Sequence, residues 1–286
     1  MPACPAAVNW SNKPVRAFLL ALLLLAAGNV FAGRTCVEVS VAPLQAKNAF
    51  ESAQALQKIL DDSGQRLAIL VRHGQRLERF GITFSHAAFA VKDQDGWVVY
   101  HSLNKCGSAV AALFEQGLAD FLADDLVSKM VAIVLPKPEL AEKLLKILAS
   151  KEGLFLMHST KYSAAAYPFS TKYQNSNGWL LETFALAASD VPLHTREEAQ
   201  LWLKEAGYEP DVIRVLGLTR LAARMVRGNI EFDDHPGELR WTHRITVNSG
   251  DGVLRFVSRY GLDAPHCEHG KFDQAVCIVN VSAAHD

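Results

Sequence analysis

An antiparallel sheet packed with helices, an α+β fold, is what this chain predicts. Two β-rich runs flank an Asp-Gly turn, short apolar runs alternate with helix-periodic stretches, and no internal repeat or low-complexity linker interrupts them. In chain order, Phe50, Ala53, Leu56 and Leu60 give Ala49 to Asp62 a helical spacing that ends at Ser63-Gly64. Leu67 to Val71 is a short apolar run and predicts a strand. Ile82 to Val91 and Trp97 to Leu103 surround Asp93-Gln94-Asp95-Gly96, which predicts a hairpin. Val110 to Leu122 predicts a helix, Val131 to Leu135 a strand, Pro138 to Leu148 a helix and Leu154 to His158 a strand. A helix starts at Ser176, runs through Trp179, Leu180, Phe184 and Ala187, and stops near Ser189-Asp190.

The last third has a different texture. Thr195-Arg196-Glu197-Glu198 is a capping box that opens a helix to about Ala206, and Pro210 starts a second helix to about Val226. Leu239 to Val247 and Val253 to Tyr260, joined by Asn248-Ser249-Gly250-Asp251-Gly252, predict a C-terminal hairpin. The expected organisation is a core over 33–190 and, over 191–286, an appendage of a helix pair and a β-hairpin packed on it.

The first 32 residues predict a secretory signal. Lys13 and Arg16 precede an unbroken apolar stretch from Ala17 to Ala27, and Val30-Phe31-Ala32 places small residues where a signal peptidase reads. That stretch is shorter than the roughly 20 residues a membrane span needs, so no transmembrane anchor is expected after cleavage. A periplasmic or secreted destination follows. Removing Met1 to Ala32 takes Cys4 and leaves Cys36, Cys106, Cys267 and Cys277, an even set suited to disulfides in an oxidising compartment. The expected pairs are Cys267 with Cys277 and Cys36 with Cys106. A metal site at Cys267, His269 and Cys277 is the weaker reading, because such compartments favour disulfides over thiolate zinc. Lys and Arg total 29 against 30 Asp and Glu; without Lys13 and Arg16 the balance is 27 against 30, and no basic face invites nucleic acid.

Register arithmetic sharpens the hairpin. If Asp93 to Gly96 form the loop, Lys92 faces Trp97 and paired numbers sum to 189. His86 and His101 then lie on one face as diagonal neighbours, roughly 7 Å apart at their Cα atoms. Ser176 opens a helix, where unpaired N–H groups and the helix dipole stabilise a developing oxyanion. The alternative for Ser176 is an ordinary N-cap, and for each histidine a half-buried ring bonded to a backbone carbonyl.

Ser85-His86-Ala87-Ala88-Phe89 and Asn175-Ser176-Asn177-Gly178-Trp179 resemble the two motifs of the circularly permuted NlpC-type papain-like fold, which includes the lecithin:retinol acyltransferase group. The likeness spans Leu67 to Ala188. It implies His86 as base, His101 as its orienting group and Ser176 at the nucleophile position, where that family carries cysteine. It also implies amide or ester hydrolysis, or acyl transfer, in the cell envelope. Ser85-His86-Ala87, Leu103-Asn104, Tyr173 to Asn177 and Trp179 further resemble an uncharacterised bacterial family catalogued as a domain of unknown function.

Two other readings compete. A binding module without chemistry would keep the cleft as a pocket for a cell-wall peptide or a lipid or acyl ligand, lined by Asn175, Tyr100, Trp97 and Trp179. Arg72-His73-Gly74 resembles the signature of histidine phosphatases, which need parallel strands with helical crossovers. No residue pattern points to a metal, nucleotide or redox cofactor.

Overall fold

Leu67–Arg72 forms β1, and all six of its residues are buried. A continuous apolar run suits a strand covered on both faces. The computed structural model describes residues 43–105, 108–123, 127–216 and 229–282, all within one compact unit. Around β1 stand β2 (His86–Lys92), β3 (Trp97–Asn104), β4 (Ala111–Gly117), β5 (Met130–Val134) and β8 (Val276–Asn280), in the order β4-β3-β2-β1-β5-β8. Every pairing is antiparallel. The hairpin register is the expected one, with Lys92 opposite Trp97. Its turn is closed by Asp93, whose carboxylate accepts from the N–H groups of Asp95 and Gly96, and Gly96 supplies a φ of 139°.

The sheet separates two cores. Leu67, Ile69, Val71, Ala87 and Phe89 pack with Trp179 and Phe184 of α5 (Ser176–Ala188), with Leu144 of α3 (Pro138–Leu148), and with Leu254 and Phe256 of α7 (Gly250–Val257). On the opposite face Ala68, Leu70, Ala88, Ala90 and Val99 meet Leu56 and Leu60 of α1 (Pro43–Asp62) and Phe121 of α2 (Leu118–Ala123). Helix α6 (Arg196–Glu205) carries the expected capping box between Thr195 and Glu198.

Four expected elements differ. Ala111 to Gly117 is a strand, because seven consecutive positions pair with β3 and override the helix propensity of its Ala, Leu and Gln residues. Instead of a strand at Leu154 to His158, Lys151–Leu156 forms α4, whose N-cap Ser150 accepts from the Gly153 N–H. Asp211–Arg214 is β6, paired with β7 (Arg244–Val247) in a separate two-stranded sheet; the helix expected from Pro210 continues into 217–228, outside the described residues. Finally, Gly250–Val257 is helix α7. Its glycine-rich lead is a helix start, with Ser249 accepting from the Gly252 N–H, and Val253, Leu254, Phe256 and Val257 are buried at helical spacing.

These differences tie the C-terminal third into the main body. The stretch expected as an appendage supplies the edge strand β8 and a helix of the larger core. Cys267 and Cys277 form the expected disulfide, so neither sulfur remains a thiolate for a metal. Cys36, Cys106 and the signal segment Met1 to Ala32 lie outside the described residues. Among those described, no helix is long and apolar enough to cross a membrane.

Candidate active site

His86 opens β2 and His101 sits in β3, on the sheet face that carries Ala88 and Val99. His86 Nε2 lies 2.8 Å from His101 Nδ1, and His101 Nε2 lies 2.8 Å from Gln116 Oε1 on β4. A carbonyl oxygen only accepts, so His101 Nε2–H donates to Gln116 and the lone pair of His101 Nδ1 receives the Nε2–H of His86. In the neutral pair this leaves Nδ1 as the basic nitrogen of His86. Both rings are buried, and Phe121 closes over them at 6.1 and 5.8 Å between ring centroids. The Arg72 guanidinium stacks on the same phenyl ring, 4.8 Å from its centroid, and donates to the Phe121 carbonyl.

The hydrogen-bonded ladder between β2 and β3 runs from Lys92 opposite Trp97 to Phe89 opposite Tyr100. Near His86 the first turn of α5 takes over from it. Asn177 Oδ1 accepts from the Ala87 N–H at 2.9 Å, and Asn177 Nδ2 donates to the Ser85 carbonyl at 3.0 Å, so one side-chain amide brackets the backbone of His86. Asn175 is the N-cap and accepts from the Gly178 N–H at 2.8 Å. Ser176 is therefore the first helical residue rather than the cap.

The body of α5 packs on the other face of the sheet, where Phe89 meets Trp179. Ser176 is buried, and its hydroxyl is a polar neighbour of the Tyr162 phenol. Burial pushes the Tyr162 phenol above its ordinary value, and the Ser176 hydroxyl opposes that rise. Below the first turn, Glu182 accepts from Arg196 Nε at 2.7 Å, Arg196 Nη2 at 3.0 Å, Gln200 at 2.7 Å and Gln174 at 2.5 Å. Gln174 also holds the Met157 carbonyl and the Ser159 N–H, which fixes the segment leading to Ser176 from both sides.

The structure brings together His86, His101 and, through Asn177, the start of α5. It does not gather the expected lining residues. Trp179 is fully buried in the larger core, Trp97 lies in the smaller one with its indole donating to Asp61, and Asn175 is buried at the cap. Tyr100 instead lines a cavity of roughly 550 Å³ with Arg66, Val91, Lys92 and Leu145. Gln116, Tyr162 and Asn177 are participants the sequence reading missed. Gln116 was hidden by the helix expected there, whereas Asn177 stood inside the motif with no role attached. Among the described residues, no group of three or more His, Cys, Asp and Glu side chains is placed to hold a metal.

Fold and site together define an α+β protein with an antiparallel six-stranded sheet and a buried histidine pair on one face of that sheet. The chain belongs to DUF2145, a family described as an uncharacterized protein conserved in bacteria, whose match covers residues 59–257. No curated protein and no solved structure matches it significantly.

Proposed function

We propose that this is an exported cell-envelope protein with a permuted NlpC-type papain-like core, and that it is an amide or ester hydrolase or acyltransferase in which Ser176 replaces cysteine. The observation that carries the reading is the Gln116–His101–His86 chain, which orients the His86 ring, together with the bond from the adjoining Ala87 N–H to Asn177 in the first turn of α5. In the proposed step the Ser176 hydroxyl attacks the substrate carbonyl, His86 takes its proton, His101 holds His86 in that tautomer, and N–H groups at the helix start receive the oxyanion. An alcohol near neutral pH depends on such a base more than a thiol does. The disulfide and the apolar leader support a periplasmic or secreted setting.

A fluorophosphonate serine probe tests it. Label recovered on Ser176, and lost in both Ser176→Ala and His86→Ala, is the expected result. A folded wild type that carries none there overturns the reading.

A second reading, a binding module without chemistry, is favoured by burial. Ser176 and His86 are 6% and 8% exposed, and neither lines the cavity that contains Tyr100. That cavity has apolar walls from Val91, Leu145 and Leu148, with Arg66, Asp93 and the Asp61-paired Lys92 around them, which suits an acyl chain. Thermal protection by a fatty acid, without label at Ser176, selects this reading. The Arg72-His73-Gly74 alternative gains no such support: among the described residues the main sheet pairs only antiparallel, and both nitrogens of His73 are engaged within the protein.

A further inference from the structure

His73 stands just beyond β1, and its ring is 7% exposed. Its Nε2 lies 2.9 Å from Glu78 Oε1, and its Nδ1 lies 2.9 Å from Ser128 Oγ. The Glu78 carboxyl is held below its ordinary value by its own backbone N–H and by His73, so it is an ionised acceptor. The chemistry then runs one way. His73 Nε2–H donates to Glu78, the lone pair remains on Nδ1, and the Ser128 hydroxyl donates to it.

Backbone bonds hold the three groups in place. His73 N–H donates to the Met130 carbonyl, Val127 N–H donates to the His73 carbonyl, and Met130 N–H donates to Ser128 Oγ at 3.3 Å. The histidine is buried, the serine is partly exposed, and Glu78 is half exposed at the rim. A nucleophile, a base and a carboxylate that fixes the base are thus in hydrogen-bonding sequence, apart from His86 and Ser176.

We propose that Ser128, His73 and Glu78 form a second hydrolytic relay, acting on small carboxylic esters that can reach a rim rather than a deep pocket. Ser128 Oγ bonds to the ester carbonyl carbon while its proton passes to His73 Nδ1. The ester C–O bond breaks, and the alcohol leaves with that proton. Water then gives a proton to His73 Nδ1 and its oxygen to the acyl carbon, the Ser128 Oγ–acyl bond breaks, and His73 returns the proton to Ser128 Oγ, which releases the carboxylic acid.

The test is a digest of the full chain after reaction with a fluorophosphonate, because peptides bearing Ser128 and Ser176 are read separately and either label can fail alone. Label on Ser128 is expected, with its rate lowered about 100-fold in His73→Gln. Glu78→Gln guards against a folding artefact, since that side chain is 53% exposed. It should keep the wild-type melting temperature and label Ser128 at least about tenfold more slowly, as loss of the correct tautomer demands. Absence of label on Ser128 in folded wild type, or an unchanged rate in Glu78→Gln, overturns the relay.

Discussion

Helices α5 and α7 begin against the same stretch of chain, Thr83 to Ala87, and meet it with different chemistry. Helix α7 uses a buried carboxylate: Asp251 accepts from Phe84 N–H at 2.7 Å and Thr83 N–H at 3.2 Å, and its own N–H returns a bond to the Phe84 carbonyl. Lys271 balances the charge at 2.7 Å. Helix α5 uses neutral amides, Asn175 and Asn177, both of which also donate to the Asn248 carbonyl at 3.0 Å. Its first turn contains no acidic residue. A helix start attracts negative charge. In α7 that attraction is met by Asp251, whereas in α5 no carboxylate of the first turn meets it, which is what the proposed oxyanion site would need.

The contrast makes α7 the clamp and leaves α5 as the start where the proposed site would work, and substitutions can break it. Asp251→Ala should have the largest effect. It strands two backbone N–H groups, so a loss of about 3 kcal/mol or more is expected in urea unfolding. A loss no greater than that of an exposed aspartate would remove the clamp. Gly250→Ala comes next, at roughly 1–3 kcal/mol, because a Cβ there would lie 2.6 Å from the Phe84 carbonyl oxygen. Asn177→Ala should cost about 2 kcal/mol by leaving the Ala87 N–H without its acceptor. It should also slow Ser176 labelling, which a purely structural amide would leave unchanged.

What the chain disclosed in advance follows the range of the forces involved. The hairpin register, the α6 capping box and the start of α5 were legible because Asp93-Gly96, Thr195-Glu198 and Asn175-Ser176 act within a few residues of themselves. Strand β4 was not, since Ala111 to Gly117 owes its conformation to β3 rather than to its own propensities. The start of α7 was misread for a related reason. Asn-Ser-Gly-Asp-Gly reads locally as a turn, and only the close approach of Phe84 shows why Gly250 has no side chain. At the site, the His86–His101 proximity was calculable from period-two alternation, but Gln116 entered through the unforeseen strand and Tyr162 through a loop.

The smallest expected effect tests the join between the two helix starts. Tyr208 donates its hydroxyl to Asn248 Oδ1 at 2.8 Å, and Asn248 carries the carbonyl that both α5 amides use. Tyr208→Phe should therefore cost about 1 kcal/mol at neutral pH. Burial, with the Asp211 carboxylate nearby, pushes the Tyr208 phenol far above its ordinary value. The folded protein thus keeps a proton that the unfolded chain releases near about pH 10. Stability from this group is fully present below that pH and falls as pH rises above it. The buried Tyr162 titrates in the same direction and is unchanged in the variant. Phenylalanine cannot titrate, so the gap between wild type and Tyr208→Phe should narrow in urea unfolding above about pH 10. An identical gap at neutral and alkaline pH would mean that Tyr208 is not buried against Asn248, and that the two helix starts are not joined through it.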